Sequence, residues 1–347
     1  MIDLDSPEEF YQRRMRSVDR RRLLQPRTSS EMIDLATRLY QKLAWPILRL
    51  TLPSMCLLYA GLIFFQGFVL PGLFTTSNPD DTMIQFQELM VVYAVALFVA
   101  LPVVVIALGH SVGLATRLIS DYVMEQKINV DAAVRAARTG ARTMVGLLLQ
   151  IFLRSCVVLM VSGAFMMISA YYEQSGQVSV FGDVVAGFAV AGLIASFIMI
   201  PVVMSSLALA PAVATVEGVG SYAAMRRSKE LLRKSRHISS GYWTILLIWL
   251  VAFLVALMLL IGFYASYSMV GAAGFVDDLA GGSVLWALAG ETLKTLPTFA
   301  AMWTLVPFIT CCLTVLYFDR RVRLEALDIE TMAHDVLRGS EEADLRL

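Results

Sequence analysis

The residues whose types and positions could support chemistry in this sequence are charged residues at or near the ends of long apolar blocks. Arg154 lies well inside the third block, while Glu217 follows the fourth block and Asp319 and Arg320 follow the sixth. Charge within a bilayer is costly, so such residues usually pair with one another or serve a function. We name these four residues the inner charged rim. Arg154 either reaches back to the membrane surface or pairs with Glu217 or Asp319, and the sequence leaves both interpretations open.

From the sequence we predict that the protein is not an enzyme. Its three histidines, His110, His237 and His334, belong to no HExxH zinc motif, and no Walker-type glycine loop is present. The four cysteines lie in apolar blocks and form no CxxC pair, which disfavours a metal site and a structural disulfide. We therefore predict no catalytic residue, no bound metal and no cofactor.

Short segments before the first, third and fifth apolar blocks combine an apolar stripe with a basic face. The stripes follow the i, i+3, i+4, i+7 spacing of helices that lie in a membrane interface. They consist of Met32, Ala36, Leu39 and Leu43, then Val130, Val134, Ala137 and Ala141, and then Ala224, Met225, Ser228, Leu231 and Leu232. The basic faces of the last two segments are candidate contacts for anionic lipid or a partner protein. Their residues are Arg135, Arg138 and Arg142, and Arg226, Arg227, Lys229, Arg233, Lys234 and Arg236.

Residues 1–30 form an Arg-rich segment that precedes the first block. Three interpretations remain open for it: attraction to anionic lipid, docking to an acidic partner, or a topology signal. A nucleic-acid partner is not expected, because the segment is tethered to a membrane. The expected partners are membrane lipids and proteins of a membrane complex.

Composition indicates a polytopic α-helical membrane protein. The 347 residues are 58% hydrophobic and 16% charged, with a mean hydropathy of +0.69, whereas a soluble domain carries about 25% charged residues. The apolar residues fall in blocks near the ~20 residues that one spanning helix needs. Uninterrupted runs do not fit the alternating strands of a barrel. We predict six transmembrane helices, over residues 45–68, 89–114, 144–171, 184–213, 242–270 and 295–317.

The distribution of lysine and arginine predicts the orientation. Of the 28 basic residues, 26 lie on one side of the predicted spans or in the terminal segments on that side. The positive-inside rule places that side in the cytoplasm. We therefore predict that both termini, including the tail 319–347, are cytoplasmic.

The six spans fall into three helix-hairpin repeats within a membrane domain covering residues 31–318. The repeats cover about residues 31–114, 130–214 and 221–318, and each contains an amphipathic segment, a span, a short outer loop and a second span. The second spans carry Pro102, Pro201 and Pro307, which tend to kink helices. Units that enter the membrane in the same sense are related by an axis along its normal. We predict a pseudo-threefold arrangement of the units.

Few polar residues lie near the middle of the spans, which bears on a transport function. They are Ser162, Ser196, Ser205, Ser206, Thr304 and Thr310. A transporter usually places polar groups at the bilayer midplane, so their scarcity disfavours transport. In the fourth block Gly187, Ala191 and Ala195 recur every fourth residue, which is typical of close helix packing.

Three passages together resemble a known family. They are EMIDLATRLY at 31–40, APAVATVEG at 210–218 with AAMRRS at 223–228, and LYFDRRVRLEALDIE at 316–330. They are similar to the bacterial membrane domain named after glycerophosphoryl diester phosphodiesterases, and to its YciC-like relatives. The resemblance covers about residues 31–332, and Glu325-Ala stands where the family usually has Glu-Gly. It implies a six-helix module of a bacterial inner membrane. Because the phosphodiesterase barrel of the fused relatives has no counterpart here, their activity is not carried over.

These observations lead to one expected function and two alternatives. We expect a non-catalytic inner-membrane module that acts as a scaffold or complex subunit and contacts lipids or partners through its basic segments. The first alternative is a transporter or channel with a path between the repeats. The second is a lipid-modifying membrane enzyme, which the lack of clustered acid, base and nucleophile disfavours.

Overall fold

The computed structural model describes residues 28–64, 99–125, 130–174, 180–233, 238–269 and 284–325. These residues contain no β-strand, which confirms the predicted all-α class. The Arg-rich residues 1–27 and the tail residues 326–347 lie outside this part of the chain. The described helices are α1 Ser29–Phe64, α2 Leu101–Glu125, α3 Val130–Gln174, α4 Val180–Leu207, α5 Ala210–Val216, α6 Ser221–Arg233, α7 Ile238–Met269 and α8 Val284–Glu325.

Five stretches of the described helices are long and apolar enough to cross a membrane. Their length and composition are those of a multi-pass membrane protein. They are Ser29–Ile63, Leu101–Met124, Val184–Val216, Tyr242–Phe263 and Thr295–Glu325. The remaining predicted span, 144–171, is helical within α3 but is not one of the five, and residues 89–98 of the second predicted span lie outside the described part. A six-span membrane domain therefore stays a prediction.

The long helices pack in chain order, and the last packs on the first. α2 packs on α1, α3 on α2, α4 on α3 and α8 on α7, while α8 returns to α1 and also contacts α2. Two hydrogen bonds join α1 to α8: Tyr40 Oη donates to the Thr304 carbonyl at 2.9 Å, and Trp303 Nε1 donates to the Leu48 carbonyl at 3.1 Å. Among long helices that follow one another in this order, α4 and α7 pack on each other least. Few residues of α4 and α7 are accordingly buried, as expected for lipid-facing helices.

Two of the three amphipathic segments are continuous with the helix that follows them. Residues 29–43 begin α1 and residues 130–142 begin α3, because no run of turn-forming residues interrupts the helical hydrogen bonding. Only the third segment forms a separate helix, α6. The apolar stripes of α1 and α6 also pack on the protein: every stripe residue there is at most 5% exposed. Their apolar faces are therefore covered by the bundle and do not face lipid.

The prediction that small residues of α4 allow close helix packing is wrong for the first two of them. Gly187 and Ala191 are exposed, and a Cβ added at Gly187 would meet no atom within 4 Å. The close approach lies at Gly192, where an added Cβ would stand 2.4 Å from Ser162 Oγ of α3. The residue spacing identified small residues but not the face that meets the neighbouring helix, because both faces of a membrane helix are apolar.

The three prolines occupy different positions in their helices. Pro102 is exposed and lies about six turns before the end of α2. Pro201 is exposed and lies about two turns before the end of α4, whereas Pro307 is buried and lies about five turns before the end of α8. Further prolines lie inside α1 and α8, at Pro46, Pro53 and Pro297. The three repeats and their pseudo-threefold axis stay predictions.

Candidate functional site

A short buried helix connects α4 to α6 at the end of the bundle where the basic segments lie. This helix, α5, buries Ala210, Ala212, Val213 and Ala214, and these small residues let it pack closely on α2 and α3. Gly218 follows it with φ 66°, a left-handed conformation that glycine adopts without a Cβ clash. The turn directs the chain into α6 and leaves Glu217 at the junction of α5 and α6.

Arg227 of α6 is surrounded by three carboxylates from different parts of the chain. Its Nε lies 3.6 Å from Glu217 Oε2, its Nη1 lies 3.7 Å from Glu230 Oε2, and its Nη2 contacts Glu325 Oε1 of α8. Arg227, Glu217 and Glu325 are each less than one-third exposed. Ion pairs with this degree of burial are screened less than surface pairs. Arg227 therefore connects α6 both to the α5–α6 turn and to the end of α8.

A tyrosine and a second arginine extend this cluster along α8. Tyr317, which is fully buried, donates its hydroxyl proton to Glu217 Oε1 at 2.9 Å. Arg321 donates from Nη1 to Tyr317 Oη at 3.3 Å and from Nε to Glu325 Oε2 at 3.0 Å. Each carboxylate oxygen of Glu217 thus has a partner on a different helix. We name Glu217, Arg227, Tyr317, Arg321 and Glu325 the charged cap.

Asp319 and Arg320 lie within the same turns of α8 but form a separate group. Both are buried, with exposed fractions of 7% and 3%. Asp319 Oδ2 accepts a hydrogen bond of 2.8 Å from Arg323 Nε, one helical turn further along α8. This placement keeps the buried carboxylate of Asp319 paired with a cation.

Arg154 lies apart from the charged cap. Its side chain is exposed, and the cation that the structure places beside Glu217 is Arg227. The four members of the inner charged rim are thus distributed over the cap, the Asp319–Arg323 pair and the outer surface of α3. Spacing along the sequence does not reveal the Arg227–Glu217 pair, because the turn at Gly218 is what brings α6 back toward Glu217.

The other predicted basic contacts are exposed on α3 and α6. Arg135, Arg138 and Arg142 are exposed on α3. On α6, Arg226, Lys229 and Arg233 are exposed, and the Arg226 side chain retains 76% of its accessible surface. Arg227 differs from them because it belongs to the charged cap. Lys234 and Arg236 lie outside the described residues.

One sequence match to a catalytic motif does not have the required structural context. Residues 109–113 read GHSVG and match the GxSxG pattern of serine hydrolases. That pattern works at a strand-to-helix turn that exposes the serine, whereas here it lies inside α2. Ser111 is 1% exposed, and its Oγ is 2.7 Å from Ser54 Oγ of α1. His110 is its chain neighbour, and adjacent residues of a helix do not face each other. The serine therefore joins two helices, and no general base is hydrogen-bonded to it among the described residues.

Hydroxyl groups of the apolar helices mostly donate to carbonyls of their own helix. Ser162 donates to Val158 at 2.7 Å and Ser196 donates to Gly192 at 2.8 Å. Ser206, Thr304 and Thr310 do the same. Such bonds satisfy the hydroxyl proton without a ligand. Within the described residues, no group of three His, Cys, Asp or Glu side chains is arranged to hold a metal ion.

Comparison of the chain with protein-family models, with curated proteins and with solved structures gave no match.

Proposed function

We propose that this chain is a non-catalytic module of a bacterial inner membrane that acts as a scaffold or complex subunit. On this proposal it belongs with the membrane modules that the sequence resembles, its termini are cytoplasmic, and anionic lipids or acidic partner proteins bind its basic end. The helices that are long and apolar enough to span a membrane support the membrane location. The orientation rests on the charge asymmetry of the sequence.

The observation that carries the proposal is the placement of α6. Its apolar face is buried in the bundle, with Ala224, Met225 and Leu231 at most 2% exposed, while Arg226, Lys229 and Arg233 are exposed. The charged cap joins this helix to α8 through Arg227. The basic face is therefore held in a fixed position, which suits a docking surface. Each basic residue near an anionic membrane surface contributes about 1 kcal/mol.

The intramembrane hydroxyls favour a scaffold over the transporter alternative. A transport path needs polar groups that can bind a passing solute. The predicted candidates Ser162, Ser196 and Thr310 instead donate to their own helices, and Ser162 and Ser196 are at most 3% exposed. These side chains stabilise helix packing, because the Ser162 hydroxyl lies where Gly192 allows α4 to approach α3.

The test replaces the basic face of α6 and compares what is retained on purification. The variant is R226Q/K229Q/R233Q, and the control R38Q/K42Q/R49Q neutralises three exposed basic residues of α1. Protein extracted in mild detergent is analysed by native mass spectrometry for bound anionic lipid and by quantitative proteomics for partners. We expect a specific lipid or partner to be lost from the α6 variant and kept by the control.

Two outcomes contradict the proposal. Equal retention by the two variants would show that the α6 surface does not select a partner. Solute uptake by proteoliposomes, above that of empty vesicles, would favour the transporter alternative.

A further inference from the structure

A cavity of about 360 Å³ opens where α2, α3 and the α5–α6 turn meet. Its wall includes Arg117 of α2, Thr139, Gly140 and Thr143 of α3, and Thr215 of α5. Small-molecule sites usually measure about 300–1,000 Å³. The cavity therefore has room for one small polar group and is too small for a long chain.

The polar groups of the wall fit an anion that also carries a hydrogen-bond donor. Asp121 Oδ1 lies 3.0 Å from Arg117 Nε and orients the guanidinium, whose planar fork matches the oxygens of a phosphate. Thr139 and Thr215 donate their protons to carbonyls of their own helices, so toward the cavity they offer acceptor oxygens. The Thr143 hydroxyl has no such bond among the described residues and is available as a donor.

Among the described residues that line the cavity, Arg117 is the one with a charged side chain. Arg135, Arg138 and Arg142 belong to the same stretch of α3 but lie on its exposed face, opposite the face that forms the wall. Two carboxylates on elements that form the wall are paired with cations, Asp121 with Arg117 and Glu217 with Arg227. The charge that an anionic group meets in the cavity wall is therefore the guanidinium of Arg117.

Gly140 of α3 lines the cavity and carries no side chain that would occupy it. A Cβ added at Gly140 would meet no atom within 4 Å, so a side chain there would extend into free space. Glycine weakens a helix relative to alanine, so its presence inside α3 does not serve helix stability. An open space at this residue leaves room for a ligand beside Arg117.

We infer that this cavity binds a phosphate ester that bears an amine or hydroxyl group. The phosphate contacts Arg117 and Thr143, and the donor of the ester contacts the oxygens of Thr139 and Thr215. A soluble phosphate ester and the headgroup of a phospholipid share this chemistry. The inference goes beyond the proposed function, because it does not depend on what the exposed face of α6 binds.

The test measures binding of two probes to the full-length protein, delipidated in dodecyl maltoside. Phosphoethanolamine represents a soluble ester, and dioctanoyl phosphatidylethanolamine represents a lipid headgroup. The variants R117Q and G140L remove the cation and fill the cavity. Their controls are R154Q, an exposed arginine of α3, and G146L, since Gly146 also has no atom within 4 Å of an added Cβ but lies outside the cavity wall.

We expect R117Q and G140L to weaken binding about tenfold to a hundredfold, as loss of a charge-assisted hydrogen bond does. Both controls should bind within about twofold of wild type, a difference of well under 1 kcal/mol. Saturable binding of phosphoethanolamine identifies a soluble ester as ligand, and binding of the lipid probe alone identifies a headgroup. If G140L does not fold, the comparison of R117Q with R154Q decides. Failure of both probes to bind wild type, or unchanged binding by R117Q, overturns the inference.

Discussion

At the scale of single residues, Gly192 is a position where α4 approaches α3 closely. An added Cβ would overlap Ser162 Oγ, so either this hydroxyl must leave its hydrogen bond to the Val158 carbonyl or one of the two helices must move. Inserting a methyl group into a well-packed contact costs about 1–3 kcal/mol. We therefore expect G192A to lower the melting temperature of the detergent-solubilised protein.

The matched control for this substitution is G187A, on the exposed side of the same helix. The added methyl group meets no atom within 4 Å, and alanine favours a helix by up to about 1 kcal/mol over glycine. G187A should therefore melt at or above the wild-type temperature. S162A in the G192A background removes the clashing oxygen and should recover part of the loss. Equal melting temperatures of the G192A and G187A proteins would rule out this packing contact.

Glu217 is the residue on which the charged cap depends, since it contacts both Arg227 and Tyr317. Replacing it with glutamine removes a negative charge beside the partly buried guanidinium of Arg227. Loss of a partner for such a group costs about 1–3 kcal/mol. We expect E217Q to lower the free energy of unfolding by an amount in this range, measured by denaturation in mixed micelles.

A double-mutant cycle separates this pair from a general effect of the substitution. E217Q combined with R227Q should give a coupling energy of about 0.5–3 kcal/mol, as residues in direct contact do. R154Q should change stability by no more than about 0.5 kcal/mol, because Arg154 is exposed. Wild-type behaviour of both E217Q and D319N would mean that these residues are solvated helix ends.

At the scale of elements, α6 is docked through its buried face. Ser228 is fully buried, and its hydroxyl donates to the Ser206 carbonyl at 3.1 Å. Ser206 lies in the last turn of α4, where carbonyls have no partner within the helix. α6 therefore satisfies the end of a membrane helix as well as covering apolar surface.

The importance of this contact is tested with S228A. Loss of the hydrogen bond should lower the free energy of unfolding by about 0.5–1.5 kcal/mol. The control is K229A on the exposed face of α6, which should change stability by less than about 0.5 kcal/mol. An S228A protein as stable as K229A would show that this hydrogen bond does not help to dock α6.

At the scale of the whole molecule, the charge asymmetry predicts the topology in the membrane. A reporter that is active only outside the cytoplasm should be active when fused after Pro79, Gln174 or Asp278. Fused after Asn129 or Ser235, it should be silent, because basic loops stay in the cytoplasm. Activity at Asn129 would exclude the six-span arrangement, because residues 45–68 and 89–114 could not then both cross the membrane from a cytoplasmic N-terminus.

The sequence by itself determined the class of the protein and the position of most of its helices. Long apolar runs must form helices in lipid, because every backbone group there needs a partner within its own segment. It also located the buried stripes of α1 and α6, because an apolar stripe at helical spacing must be covered whether lipid or protein covers it.

Only the tertiary structure decided which faces meet and which charges pair. In a membrane helix the face toward lipid is as apolar as the face toward protein, so periodicity could not separate Gly187 from Gly192. The pairing of Glu217 with Arg227 depends on the left-handed turn at Gly218, and that with Tyr317 on the packing of α8. The wall of the cavity comes from three separate segments of the chain, within residues 113–117, 136–144 and 214–219. These features depend on how helices pack, and packing depends on shape in three dimensions that a pattern of residue types does not contain.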